Sequence, residues 1–160
     1  AAITSEQMNK VNLKLIARSV VDDFNSIYNS KRGISINLKT NGSEEYIVLG
    51  IENRIEQIIA NLLENSISFS NDNQEIKVEL TKNENGQIYL NVIDQGEGFK
   101  EKDTTKIFNR FYSNRPGKFG EHSGLGLNIV KNLVDLHNAQ IFAKNNKDKG
   151  ANIEIIFPSA

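Results

Sequence analysis

The stretch from Glu52 to Phe69 constrains the fold of this chain more than any other. At about 100° per residue, Arg54, Gln57, Asn61, Glu64, Asn65 and Ser68 fall on one arc of a helix, while Ile51, Ile55, Ile58, Ile59, Leu62, Leu63 and Ile67 fill the rest. A helix that is apolar around most of its circumference must be buried on most sides, so its polar arc should border a cavity rather than open water. Asn costs roughly half a kcal/mol against Ala at an interior helical site, so two of them on that arc call for a compensating role. Their side-chain carbonyls are hard oxygen donors, and at i and i+4 they stand about one turn apart, a separation suited to a hydrated Mg²⁺ bridging phosphates. The alternative for the same arc is a solvated face.

The flanking segments say what such a helix packs against. From Val11 to Asn29, Leu13, Ile16, Val20, Phe24 and Ile27 recur at helical spacing, which predicts an amphipathic helix ending near Lys31-Arg32-Gly33. Ile34, Ile36 and Leu38 alternate with polar residues, Asn41-Gly42 interrupts, and Tyr46 to Leu49 follows, which predicts two strands. Ile76, Val78 and Leu80 alternate, Asn83-Glu84-Asn85-Gly86 supplies turn chemistry, and Ile88, Leu90 and Val92 alternate again, as in an antiparallel hairpin. A short helical stretch is expected around Ile107 to Phe111, a polar mobile loop over Ser113 to Ser123, and a last helix from Gly124 through Leu127, Val130, Leu133 and Val134. Phe142 and the run Ile153, Ile155, Phe157 flank Asn146 to Gly150 as a second hairpin. Helices in one layer over a mixed, largely antiparallel sheet is the simplest packing of this order, an α+β two-layer sandwich.

Composition removes several classes of function. The chain has 160 residues with 19 Lys+Arg against 20 Asp+Glu, enough for one domain and without the basic stripe that binding a nucleic-acid backbone demands. Cysteine is absent, which excludes disulfides and thiolate metal sites, and the reading is cytosolic. Apolar runs such as Ile58-Ile59-Ala60 fall far short of the roughly 18 residues of a membrane span, and no signal peptide opens the chain, so direct membrane contact is not expected.

Two further segments carry chemistry. Asp94 ends an alternating strand and opens Asp94-Gln95-Gly96-Glu97-Gly98-Phe99, where glycines let backbone approach a ligand closely and a fixed carboxylate can accept from an exocyclic amine; an ordinary Asx turn is the alternative. Gly124-Leu125-Gly126-Leu127 opens the last helix, where unpaired N–H groups favour an anion.

Together and in this order the segments resemble the ATP-binding catalytic domain of sensor histidine kinases, with the Bergerat fold shared by gyrase-type ATPases, Hsp90-like chaperones and mismatch-repair proteins. Asn61-Leu62-Leu63-Glu64-Asn65 resembles the family's N box, Asp94 to Phe99 its first glycine box, Ile107-Phe108-Asn109-Arg110-Phe111-Tyr112 its F box and Gly124-Leu125-Gly126-Leu127 its second glycine box. The resemblance spans nearly the whole chain. It implies one catalytic ATP-binding domain over residues 1–160, with residues 1–10 a linker remnant, residues 112–123 the ATP lid, and the dimerisation and phosphoacceptor domain absent. The implied cofactors are ATP and Mg²⁺. Asn65 would ligate the metal with Asn61 in support, and Asn61, Glu64 and Asn65 would form the catalytic set. Asp94 would receive the adenine amine, Phe69 would lie along the adenine pocket, and Gly96 and Gly98 would shape it. Gly120, Gly124, Leu125, Gly126 and Leu127 would frame the lid and its phosphate contacts, while Phe108 and Phe111 would anchor its root.

Departures from the family pattern are informative. Ser68 stands where many relatives carry Lys or Arg toward phosphate, and Ser113 where the F box usually ends in Arg, which leaves Arg110, Arg115 and Lys118 as the nearby cations. In place of His-Gly-Gly the chain has His137-Asn138-Ala139; His137 reads as a helix C-terminal residue favourable with the dipole, and His122 as a lid residue. A gyrase-like hydrolase, and the anti-sigma serine kinases of this fold, need a carboxylate one turn before the metal Asn, and Asn61 cannot take a proton from water. Phosphoryl transfer to a histidine is therefore the leading expectation, on a dimerisation and histidine-phosphotransfer domain of the same protein, with a response regulator downstream. The expected setting is a monomeric cytoplasmic domain of an inner-membrane sensor. A nucleotide-binding module without transfer activity is the alternative.

Overall fold

The computed structural model describes residues 7–109 and 126–160. The chain runs β1 (Asn9–Asn12), α1 (Leu13–Arg32), β2 (Ser35–Lys39), β3 (Ile47–Gly50), α2 (Glu52–Phe69), β4 (Glu75–Lys82), β5 (Ile88–Ile93), a 3₁₀ turn (Thr104–Phe108), α3 (Gly126–Leu136), β6 (Gln140–Asn145) and β7 (Ala151–Phe157). Five strands form one sheet in the order β2-β4-β5-β7-β6, with β2 parallel to β4 and the other pairs antiparallel. The expected mixed, largely antiparallel sheet is the one observed. Both predicted hairpins form, β4 with β5 and β6 with β7.

The period of two decides which side of the sheet is covered. Ile76, Val78 and Leu80 on β4, Ile88, Leu90 and Val92 on β5, and Ile153, Ile155 and Phe157 on β7 are all buried, while Asn91 and Glu154 between them hydrogen-bond to each other on the opposite face. The buried face meets α1, α2 and α3. Leu13, Ile16, Ala17 and Val20 supply the α1 stripe, and Val130 and Val134 that of α3. α2 is the most deeply embedded helix: Ile55, Ile58, Ile59, Leu62 and Leu63 have no exposed surface, each burial being worth about 1.5–3 kcal/mol.

One element escaped the periodicity. Asn9–Asn12 pairs with β3 as a separate two-stranded antiparallel ribbon, so α1 starts at Leu13 rather than Val11, and Asn9 and Lys10 of the expected linker are strand residues. Four residues with one apolar member are too few to show a period of two. The Asn12 side chain accepts from Leu15 N–H at 3.2 Å and so caps the helix. At the other end Gly33, at φ 68°, donates to Asn29 as a left-handed C-cap. The third helical stretch, expected over Ile107 to Phe111, is a 3₁₀ turn over Thr104–Phe108 that ends at the extended Asn109.

Candidate functional site

α2 carries its polar arc along the helical side of the sheet. Asn65 is 3% exposed, and its Oδ1 is, among the described residues, a buried side-chain oxygen with no hydrogen-bond partner. Leaving such an acceptor unsatisfied costs about 1–3 kcal/mol, which a folded protein tolerates where a ligand later repays it. Asn61, one turn earlier, is half-buried, and Glu64 is exposed. The arc thus grades from solvent to interior instead of lying wholly in solvent. Ser68 turns its hydroxyl back to donate to the carbonyl of Asn65 at 2.7 Å.

The carboxylate opposite comes from the end of β5. Asp94, 2% exposed, takes both bonds of a strand position with Ala151: its N–H donates to Ala151 O at 2.9 Å, and its Oδ1 accepts from Ala151 N at 3.2 Å. The same Oδ1 accepts from Gly96 N at 2.9 Å, the Asx-turn bond, so one oxygen is fixed by two amides. The turn and a ligand role are therefore compatible, because the turn orients the carboxylate.

The glycines of this loop make room for protein atoms. A Cβ on Gly96 would lie 2.2 Å from the carbonyl oxygen of Phe69, which closes the C-terminal end of α2 onto the loop. Gly98, at φ 84°, would place its Cβ 2.6 Å from Asn145 Oδ1. The expected closeness at these glycines is to Phe69 and Asn145 on the protein side of the loop. Phe69 also meets Phe99 edge to face at 5.9 Å between ring centroids, so the end of the helix and the end of the loop share one aromatic contact. Phe69, Asp94, Gly96 and Gly98 are thereby brought together at one end of the sheet, with Asn65 about one helical turn before Phe69.

Two residues outside the motifs, Arg32 and Tyr28, border this arrangement. Arg32, the last residue of α1, pairs with Asp72 at 2.7 Å and donates to the carbonyls of Ile67 at 3.0 Å and Ser70 at 2.7 Å. α2 has no basic residue in its own last turn, so α1 supplies the cation its C-terminus favours. Arg32 and Tyr28 line a cavity of about 400 Å³ with Glu64, Ile67 and Ser68, beside the polar arc. The pairing joins residues far apart in sequence, and no local spacing announces it.

His137 stands at the C-terminal end of α3, as expected, and makes a second contact that the sequence does not announce. It follows α3 and contacts Leu133 O through Nδ1 at 2.7 Å, but its Nε2 is 3.1 Å from the N–H of Ile51, the N-cap of α2. An N–H can only donate, so in this geometry Nε2 is the acceptor from Ile51 and Nδ1 faces the Leu133 carbonyl as donor. The side chain thereby ties the C-terminal end of α3 to the start of α2. Asn138 takes the left-handed conformation, φ 54°, which Asn tolerates better than most residues.

Gly126 begins α3, and among the described residues a Cβ on it would meet nothing within 4 Å. Leu127 is buried in the core, so a ligand could meet only its backbone. Phe108 is a core anchor, as expected, and its carbonyl accepts from Asn128 Nδ2 at 3.1 Å. Arg110, Phe111, Ser113, Arg115, Lys118, Gly120, His122, Gly124 and Leu125, with residues 112–123 of the lid, lie outside the described residues. No group of three or more His, Cys, Asp or Glu capable of holding a metal occurs among the described residues. No described helix is long and apolar enough to cross a membrane.

Known proteins share this architecture. Residues 50–160 match the family described as histidine kinase-, DNA gyrase B-, and HSP90-like ATPase. The sensor protein ChvG of Agrobacterium fabrum is 31% identical over 172 aligned positions, which take in 100% of this chain and 29% of ChvG, so the chain spans less than a third of that relative's length. A nucleotide-free catalytic domain of the histidine kinase ThkA superimposes with a TM-score of 0.82 at 25% identity, covering 96% of this chain and 98% of that one. ThkA in complex with the response regulator protein TrrA gives a TM-score of 0.78 at 24% identity, over 96% of this chain and 42% of that one. With the N box on a buried helix, the first glycine box at the end of a central strand and the sheet order in place, this chain belongs to the histidine kinase-, gyrase B- and HSP90-like ATPase family, as an ATP-binding catalytic domain of the sensor histidine kinase type.

Proposed function

We propose that this domain binds Mg²⁺-ATP and transfers the γ-phosphate to a histidine on a dimerisation domain outside residues 1–160, with a response regulator as the downstream acceptor. The observation that carries the reading is the buried, unpartnered Oδ1 of Asn65, a hard oxygen donor held ready for a hard cation. Mg²⁺, when bound, supplies charge neutralisation across the phosphate oxygens. Asn65 would hold it, with Asn61 in support and Glu64 completing the catalytic set from the exposed flank of the same arc. Asp94 would accept the adenine amine, its carboxylate orientation fixed by Gly96 and Ala151, and Phe69 would lie along the base. Gly96 and Gly98 would shape that pocket from the loop. Gly120, Gly124, Leu125, Gly126 and Leu127, with Arg110, would frame the lid over the phosphates.

Asn61 supports transfer over hydrolysis. Its amide cannot deprotonate water, whereas an imidazole acceptor needs no strong base. The proposed setting is the cytoplasmic part of an inner-membrane sensor, the domain itself a monomer without membrane or nucleic-acid contact. Labelled ATP, incubated with this domain alone and with the helical hairpin of its full-length protein, tests the reading. The expected result is intact ATP with the domain alone and an acid-labile, base-stable phosphate on the hairpin. Rapid phosphate release by the domain alone, or phosphoserine on the partner, would replace it with an ATPase or serine kinase reading.

A further inference from the structure

The turn between β6 and β7 lies some fifty residues beyond the first glycine box, yet it forms the wall of that loop. Gly150, at φ 95°, would place a Cβ 2.0 Å from Asp94 O, and Asn146 Nδ2 donates to the same carbonyl at 3.3 Å. Asn145, the last residue of β6, makes the most directional contact. Its Oδ1 accepts from Phe99 N–H at 2.7 Å and its Nδ2 donates to Phe99 O at 2.9 Å, so one side-chain amide takes both backbone groups of Phe99 as a neighbouring strand would. Asn145 is an exposed residue that this pairing orders, and Phe99 is buried. Gly98 is shaped to the same contact, because any Cβ there would strike the Asn145 amide.

We infer that Asn145 is a positioning residue for nucleotide binding: by clamping Phe99 it fixes the Phe69–Phe99 contact and the end of the loop that Asp94 begins, and so holds the adenine side of the site preformed. This rests on the proposed adenine pocket at Asp94 and Phe69. Only an amide of this length both accepts from an N–H and donates to a C=O one residue's backbone apart. Ala keeps neither bond, and Asp keeps the acceptor but sets a carboxylate oxygen against the Phe99 carbonyl. The clamp acts on the base, not on the phosphates, so its loss should weaken adenosine and Mg²⁺-ATP by the same factor. With two hydrogen bonds at an exposed position, that factor is about 5- to 20-fold for Asn145→Ala and larger for Asn145→Asp.

Calorimetric titrations of adenosine and Mg²⁺-ATP into wild type and both variants, at a temperature where circular dichroism shows each folded, make the test. Parallel weakening of both ligands is the expected result. Unchanged adenosine affinity in Asn145→Ala would overturn the inference even if the melting temperature falls, since a merely structural bond changes stability alone. So would weakening confined to ATP. If the variants do not fold, hydrogen exchange of wild type decides: the Phe99 amide should be protected without nucleotide, and exchange at the rate of an open loop would overturn the clamp. Wild type that binds neither ligand would instead remove the adenine pocket itself, and the inference with it.

Discussion

The two ends of the proposed nucleotide site are built on opposite principles. At the adenine end, Asp94 Oδ1 accepts two backbone amides, Phe99 is held at both its N–H and its C=O, and Gly96 and Gly150 lie so close to Phe69 O and Asp94 O that neither could carry a side chain. At the phosphate end, Asn65 keeps a buried oxygen with no hydrogen-bond partner among the described residues, and Asn61 is half-buried. One end is determined by the protein's own contacts; the other keeps a cost that a ligand can offset. In the proposed site this difference would let one domain hold a base rigidly while leaving the metal position to be completed by its ligand.

The largest expected effect strikes the determined end. Gly150→Ala forces a Cβ against the Asp94 carbonyl at a positive φ, and should destabilise the fold by about 3 kcal/mol, read as a fall in denaturant midpoint at constant m-value. If the midpoint hardly moves, the loop is not packed as tightly as its geometry states, and the contrast between the two ends fails.

Asp94→Asn should come next. Loss of a charged hydrogen bond costs about 1.5–3 kcal/mol, roughly 10- to 150-fold in ATP affinity by calorimetry. GTP, which offers a carbonyl where ATP offers an amine, should bind wild type weakly for the same reason. Equal ATP and GTP affinities would sink the adenine assignment.

The smallest effect on the fold is the sharpest test of the contrast. Asn65→Ala removes an oxygen whose burial the ligand-free protein does not compensate, so its melting temperature should hold or rise slightly. Triphosphate binding in magnesium should nevertheless weaken at least about tenfold, with adenosine affinity unchanged. Equal loss for both ligands, or a clear drop in stability, would make Asn65 a structural residue.

Much of this was legible in the sequence, for local reasons. A period of 3.6 with a narrow polar arc marked α2 from Glu52 to Phe69, and alternation marked the two hairpins, because burial on one face imposes those periods whatever the neighbours are. Four short motifs in order pointed to the family, and Asn65 and Asp94 stood out because a mid-helix Asn and a strand-end Asp before glycines need a reason to be there. Tertiary structure alone decided the rest. Nothing near position 145 says that its amide replaces a strand partner for Phe99, nothing near Arg32 that it caps a helix thirty-five residues on, and nothing near His137 that its ring accepts from Ile51. Each is a hydrogen bond between residues distant in the chain, and directional bonds of that kind leave no period in a sequence, whereas the hydrophobic effect, which is non-directional and repeats along each element, does.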